Sequence, residues 1–152
     1  MLRLFAGIPI PEDLWDGLDE LAEDLPGARW RLLEQYHITL CFFGEISHAE
    51  ARDLDSLLIG LRAPPLNLQL EGAGWFGKRN PDSLHARVKE NEALRELASG
   101  CERAARRLGI AIERGPFVPH VTLAYLAGTE LADARGWAEQ NHDYGSDVFR
   151  VE

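Results

Sequence analysis

Two four-residue segments of this chain repeat one another: His37-Ile38-Thr39-Leu40 and His120-Val121-Thr122-Leu123. They fall in the stretches Tyr36–Phe43 and Phe117–Leu126, whose β-branched and apolar content predicts strands. Side chains two apart on a strand share a face, so each segment presents an imidazole and a hydroxyl together. Ile38, Leu40, Val121 and Leu123 are then expected to turn the other way, into apolar packing. With five His and three Thr in the chain, chance predicts about 0.1 His-x-Thr pairs; two occur, and together they mark a candidate site. Two imidazoles with pKa near neutrality can act as one general base and one general acid. Two hydroxyls, helped by backbone N–H groups, can hold an oxyanion such as phosphate. The set suits in-line displacement at phosphorus without a metal.

Other chemistries lack their residues. A zinc site usually adds a third His, a Cys or a carboxylate at ligand spacing, and none accompanies either motif, so no metal or other cofactor is expected. There is no Gly-x-Ser-x-Gly to support a Ser-His-Asp triad. No Gly-x-x-x-x-Gly-Lys-Ser/Thr loop is present, because Arg79 follows Gly77-Lys78 where the loop needs a hydroxyl for the metal, which argues against use of a nucleoside triphosphate. The glycines from Gly72 to Gly77 do not fit a dinucleotide-binding arrangement and read as a turn region. His48 opens a helix, His85 sits in a strand without a Thr partner and His142 lies in a polar loop; each is expected to be an ordinary structural histidine.

The elements that must position the two motifs follow from periodicity and punctuation. Leu2–Ile8 predicts a first strand, and Pro11 with Leu14, Trp15, Leu18, Leu21, Ala22 and Leu25 predicts a helix ended by Pro26–Gly27. Ser47 and Glu50 form a capping-box pattern that opens a helix to about Leu61. Leu66, Leu68 and Leu70 alternate with polar residues, and Ser83–Val88 follows as another short strand. Asn91–Leu108 carries the longest helical pattern, with Gly109 past its end. Thr129 is placed to cap a helix reaching about Gln140, and Val148–Val151 begins a last strand. The order is β-α-β-α-β-β-α-β-α-β. Several connections are too short for a purely parallel sheet, so mixed or antiparallel α+β layers are expected.

Composition bounds what such a site can serve. A chain of 152 residues with 45% hydrophobic and 27% charged residues can build a core without staples, as one domain or two small packed lobes. No apolar run approaches ~18 residues, so neither a transmembrane helix nor a membrane partner is expected. The amino-terminal run is broken by Arg3, Pro9 and Pro11 and meets Glu12 and Asp13, unlike a signal peptide. Cys41 and Cys101 are too few for a disulfide framework, and a cytoplasmic location is the default expectation. A net charge of -9 lacks the broad basic surface of a protein that coats nucleic acid. A nucleic-acid substrate would therefore be gripped locally, at an end or a single nucleotide.

With these residues in view, the sequence resembles the 2H phosphoesterases, in particular the RNA 2′,3′-cyclic phosphodiesterase (2′-5′ RNA ligase-like) branch. The resemblance rests on Leu4-Phe5-Ala6, on His37-Ile38-Thr39-Leu40 followed by Phe43-Gly44-Glu45, and on Trp75-Phe76-Gly77. It is most specific at Pro116-Phe117-Val118-Pro119-His120-Val121-Thr122-Leu123-Ala124. It implies an α+β fold of two pseudo-twofold-related lobes, each an antiparallel sheet with helices outside, around a central cleft. Residues 1–152 would form a single bilobal domain with intertwined lobes. The implied activity is metal-independent opening of a 2′,3′-cyclic phosphate at an RNA end, or on a nucleotide, to leave a 2′-phosphate. By the same resemblance His37 is the proton donor to the leaving 3′ oxygen, His120 the base that activates water, and Thr39 and Thr122 hold the phosphate. The residues alone leave the acid and base assignments interchangeable. The alternatives are 2′-5′ RNA ligation, a small cyclic nucleotide as substrate, and a module that binds phosphate ends without turnover. A monomer is expected.

The sequence departs from the family pattern in two places. Many relatives carry Arg three residues beyond the second Thr, where this chain has Tyr125. Regular strand alternation would put Tyr125 with Val121 and Leu123 on the packed face, away from phosphate. Relatives also usually continue with another strand after the one near Val148, and that last family strand is expected to be missing after Glu152. Arg29, Arg31, Lys78, Arg79 and Arg114 are candidate sources of local positive charge, although each singly reads as a solvated surface residue. Trp75, Phe76 and Tyr36 are candidates for stacking on a base, with core or interface packing the favoured role.

Overall fold

Alternating apolar residues along six segments build one antiparallel sheet, whose inner face holds Ile38, Val121, Leu84 and Ala86 fully buried. The computed structural model describes residues 1–113 and 115–151. Its elements are β1 (Leu2–Pro9), α1 (Trp15–Asp19), β2 (Ala28–Trp30), β3 (His37–Ile46), α2 (His48–Ile59), β4 (Leu66–Leu68), β5 (Leu70–Phe76), β6 (Ser83–Val88), α3 (Glu92–Arg107), β7 (His120–Leu126), α4 (Leu131–Gln140) and β8 (Phe149–Val151). The strand order is β1-β3-β7-β6-β5, with β2 also paired to β7. β4 and β8 form a separate two-stranded sheet. The expected α+β class with antiparallel sheets is what forms. The strands of the two halves run together into one sheet, joined where β3 meets β7 at Ile38↔Val121.

Helices cover the apolar face. Leu18 of α1, Leu94 of α3, and Ala134 and Trp137 of α4 pack with Ile38, Val121 and Leu84 in the larger core. A second cluster joins Cys41, Phe43 and Ile46 of β3 to Leu54 of α2 and Cys101, Ala104 and Ala105 of α3. The two helices of this second cluster, α2 and α3, begin where the sequence places them. Ser47 and Glu50 close a reciprocal capping box on α2, and the Asn91 side chain accepts from the Leu94 N–H at 2.9 Å to open α3. Ile38 sits at the junction of the two halves, and truncation to Ala would cost about 2–5 kcal/mol.

Four local expectations are corrected. The helix expected over residues 11–25 shortens to a 3-10 turn and α1, which ends at Asp19. Residues 12–25 carry seven carboxylates and no cation, and acids toward a helix C-terminus oppose its dipole. The glycine-rich segment expected as a turn is largely β5, an edge strand whose glycines make room for neighbours. Thr129 does not cap α4; its hydroxyl donates to the Pro26 carbonyl at 2.7 Å, and Glu130 takes the cap position. The strand expected from Phe117 begins at His120, because Pro119 has no N–H to give a ladder. β2 and the 3-10 turn Leu33–Gln35 were not legible from periodicity.

Candidate active site

The β3–β7 register places the two motifs on one face. Ile38 stands directly opposite Val121, and opposed residues of an antiparallel pair point the same way. Both of these turn inward and are wholly buried. Extending that register one residue each way sets His37 across from Thr122 and Thr39 across from His120. All four therefore share the opposite face, related by a local twofold between Ile38 and Val121. Each of the four is partly exposed.

The imidazoles are held alike. His37 Nδ1 lies 2.7 Å from the Gln35 carbonyl oxygen, and His120 Nδ1 lies 2.7 Å from the Val118 carbonyl oxygen. A carbonyl only accepts, so both Nδ1 atoms carry hydrogen and both Nε2 atoms are left for chemistry. His37 Nε2 lies 3.1 Å from Thr39 Oγ1. The strands irregularly repeat each other as well. In β3, Cys41 pairs with Ala6 and Thr39 with Gly7, so Leu40 is an extra residue. In β7, Ala124 pairs with Leu84 and Thr122 with His85, so Leu123 is extra. Each His-x-Thr thus ends at a bulge formed by its own Leu, which re-aims the strand just beyond the hydroxyl.

Aromatic rings back both histidines. Phe5 stacks on His37 with centroids 4.6 Å apart, and Gly7 leaves the space: a Cβ there would lie 3.0 Å from the Phe5 ring and 3.3 Å from His37 Cδ2. Phe76 meets His120 edge-on at 4.8 Å and stacks on His85 at 4.2 Å. His85 itself stands across from Thr122, and Arg87 across from His120. Gly74 makes room for both, since a Cβ there would come within 2.9 Å of His85 Nε2 and 3.1 Å of Arg87 Nε. The sequence alone reads His85 as an ordinary structural histidine and does not single out Arg87, because nothing in Ser83–Val88 repeats the motif; only pairing to β7 brings them in. The alternation of His85 and Arg87 with buried Ala86 was the one available signal.

Burial lowers the pKa of His120; its tie to Val118 partly opposes this and the charge of His37 adds to the lowering. His85 is pushed down to about 3 by burial, then by His120 and Arg87. It is 2% exposed, and its Nδ1 has no partner. It is therefore a neutral wall beside His120 at physiological pH.

Two grooves flank the quartet. One of about 420 Å³ runs past Thr39, His120, Phe76, Phe117 and Ser99; another of about 400 Å³ is lined by Phe5, Gly7, Arg31, Glu34 and His37. Among the described residues, no group of three or more His, Cys, Asp or Glu gathers to hold a metal ion. Of the other sequence candidates, Tyr36 is buried in the core and Trp75 packs against it, while Phe76 joins the site. Lys78 and Arg79 are exposed in the turn after β5. Arg114 lies outside the described residues. Tyr125 is corrected: the Leu123 bulge leaves Leu123 and Ala124 both buried and turns Tyr125 outward, 49% exposed, onto the face of Thr122.

The profile of the LigT-like phosphoesterases matches residues 8–84. The chain is 31% identical over 126 residues to an RNA 2′,3′-cyclic phosphodiesterase of Bacillus subtilis, covering 79% of this chain and 69% of that one. It is 32% identical over 127 residues to a protein of the same name from Geobacillus stearothermophilus, covering 79% of this chain but only 40% of that one. Among solved structures, apo LigT of Escherichia coli superposes with a TM-score of 0.73 at 25% identity, covering 98% of this chain and 82% of that chain. A structure described as a phosphoesterase gives a TM-score of 0.77 at 24% identity, covering 99% and 84%. No described helix is long and apolar enough to cross a membrane.

Proposed function

This chain belongs to the LigT-like phosphoesterase family, and on that premise we propose that it hydrolyses 2′,3′-cyclic phosphates at RNA ends without a metal, residues 1–152 acting as one bilobal unit. The observation that carries the reading is the paired register: two imidazoles with identical Nδ1 tethers flank a face on which two hydroxyls alternate with them. Neutral His120 takes a proton from water as the water oxygen attacks phosphorus. The P–O3′ bond breaks, and protonated His37 gives its Nε2 proton to the leaving 3′ oxygen. The product is a 2′-phosphate with a free 3′-hydroxyl, and the two histidines exchange protons with solvent to reset. The lowered pKa of His120 supports its role as base, since it stays neutral further into acid than an ordinary imidazole.

Thr39 and Thr122 donate to the non-bridging oxygens. With His37 neutral, the Thr39 hydroxyl donates to His37 Nε2 across their 3.1 Å contact. Protonation reverses that bond and frees the hydroxyl hydrogen to turn toward phosphate. Arg87, across from His120, adds positive charge at the rim of the same face. The test is incubation of the purified chain with a 2′,3′-cyclic-phosphate-ended oligonucleotide in EDTA, with the product identified. A 2′-phosphate product supports the reading. Binding without turnover, a 3′-phosphate product, or activity that requires an added divalent cation would overturn it.

A further inference from the structure

Beyond Thr122 the site face continues along β7. The Leu123 bulge brings Tyr125 onto it, half exposed. β2 lies against this end of β7, with Arg29 directly opposite Tyr125 and Trp30 opposite Ala124. Trp30 packs against the core, so Arg29 shares the outward face with Tyr125. The Arg31 N–H donates to the Leu123 carbonyl at 2.8 Å, which ties β2 to the bulge. The Arg31 guanidinium carbon then sits over the Tyr125 ring, 5.0 Å from its centroid. Arg31 lines the same groove as His37 and Phe5. Glu34 is the carboxylate on that groove's wall, yet neither ion pair found among the described residues, Glu90–Arg95 or Glu102–Arg106, engages Arg29 or Arg31.

A row of cationic groups therefore leads away from the reacting phosphate on a chain whose net charge is -9. An aromatic platform holds a guanidinium in place while its N–H fork stays open, and that fork matches a phosphate in bidentate geometry. An RNA 3′ end carries its next phosphodiester one nucleotide away from the cyclic phosphate; a cyclic mononucleotide has none. We infer that Arg31, held on Tyr125 and flanked by Arg29, forms a subsite for the phosphodiester on the 5′ side of the terminal nucleotide, which makes the enzyme selective for oligonucleotide ends over small cyclic nucleotides. The inference rests on the cyclic-phosphodiesterase reading above and adds to it a subsite and the residues that would set the preference for oligonucleotide ends.

The experiment compares kcat/KM on a 2′,3′-cyclic mononucleotide and on a trinucleotide ending in a 2′,3′-cyclic phosphate. The wild-type chain should favour the trinucleotide. R31Q should lower the trinucleotide-to-mononucleotide ratio about tenfold, mainly through KM, as expected for loss of one charge-assisted contact. R31K should keep part of the ratio, Y125F should keep it because the ring remains, and Y125L should lose it. Added salt should shrink the wild-type ratio and affect R31Q less. Turnover of both substrates with equal ratios in wild type and R31Q overturns the subsite but leaves the hydrolase reading intact. If the wild-type chain turns over neither substrate, the hydrolase reading fails instead. The subsite is then judged by anisotropy of a labelled 2′-phosphate-ended trinucleotide, where unchanged binding by R31Q overturns it and weakened binding sustains it.

Discussion

Replacing His85 with Phe should make the fold less sensitive to acid while leaving its neutral-pH stability equal or higher. His85 is 2% exposed and stacks on Phe76 at 4.2 Å, a packing that a second phenyl ring preserves. Its pKa falls from 6.5 to about 3 on folding, chiefly through burial. Above pH 6.5 the folded and unfolded chains both hold it neutral, and it contributes no pH dependence. Below that, the unfolded chain takes up a proton that the folded chain refuses, so stability drops as pH falls through the window from 6.5 to about 3. Each pH unit inside the window costs about 1.4 kcal/mol, so moving from pH 7 to pH 4.5 removes about 3 kcal/mol through this group. That is a large share of a typical total of about 5–15 kcal/mol. Phe also removes the unpartnered Nδ1, whose burial costs about 1–3 kcal/mol. Urea unfolding followed by tryptophan fluorescence at the two pH values reads the difference. The wild-type midpoint should fall between pH 7 and pH 4.5 by about 1–2 M more than that of His85→Phe, taking a slope of about 2 kcal/mol per M. His120 is also held below its ordinary value, but its acid loss is common to both proteins and cancels. Equal midpoint losses, in this variant and in His85→Leu, would refute the account of His85 as a proton-refusing wall.

Three further outcomes follow from the site. His37→Ala and His120→Ala should each lower kcat by about 10²–10⁴-fold, whereas Thr39→Ala and Thr122→Ala should cost about 1.5–3 kcal/mol in kcat/KM; steady-state kinetics on a cyclic-phosphate substrate ranks them, and a reversed order would contradict the assigned roles. The pH profile of kcat/KM should be bell-shaped, with its ascending limb below the ordinary histidine range because burial depresses His120; a monotonic profile would remove the acid–base pair. Gly74→Ala should press its new Cβ on His85, 2.9 Å from Nε2, and on Arg87. Overpacking of about 1–3 kcal/mol lowers Tm by about 3–8 °C and disturbs His120 through the ring contact between the two histidines; an unchanged Tm in a thermal melt would show that the pocket yields freely.

What the sequence determined by itself is local. His37 with Thr39, and His120 with Thr122, share a face because strand side chains alternate; Ile38 and Val121 anchor from behind for the same reason. The Ser47–Glu50 capping box and the apolar period of residues 91–108 are short-range patterns that a few residues specify, so α2 and α3 were legible to within a residue or two. The residues around the motifs were not legible in this way, because sheet register is a long-range property. Only the opposition of Ile38 to Val121 makes two tetrapeptides into one quartet, and only β6 lying against β7 carries His85 and Arg87 to it. The position of Tyr125 shows the limit most plainly. Period-two alternation sends it inward, but Leu123 enters the ladder as an extra residue, both it and Ala124 are buried, and every side chain beyond changes face. A bulge forms to satisfy pairing with β2 on one edge and β6 on the other, and neither neighbour is visible from within the strand.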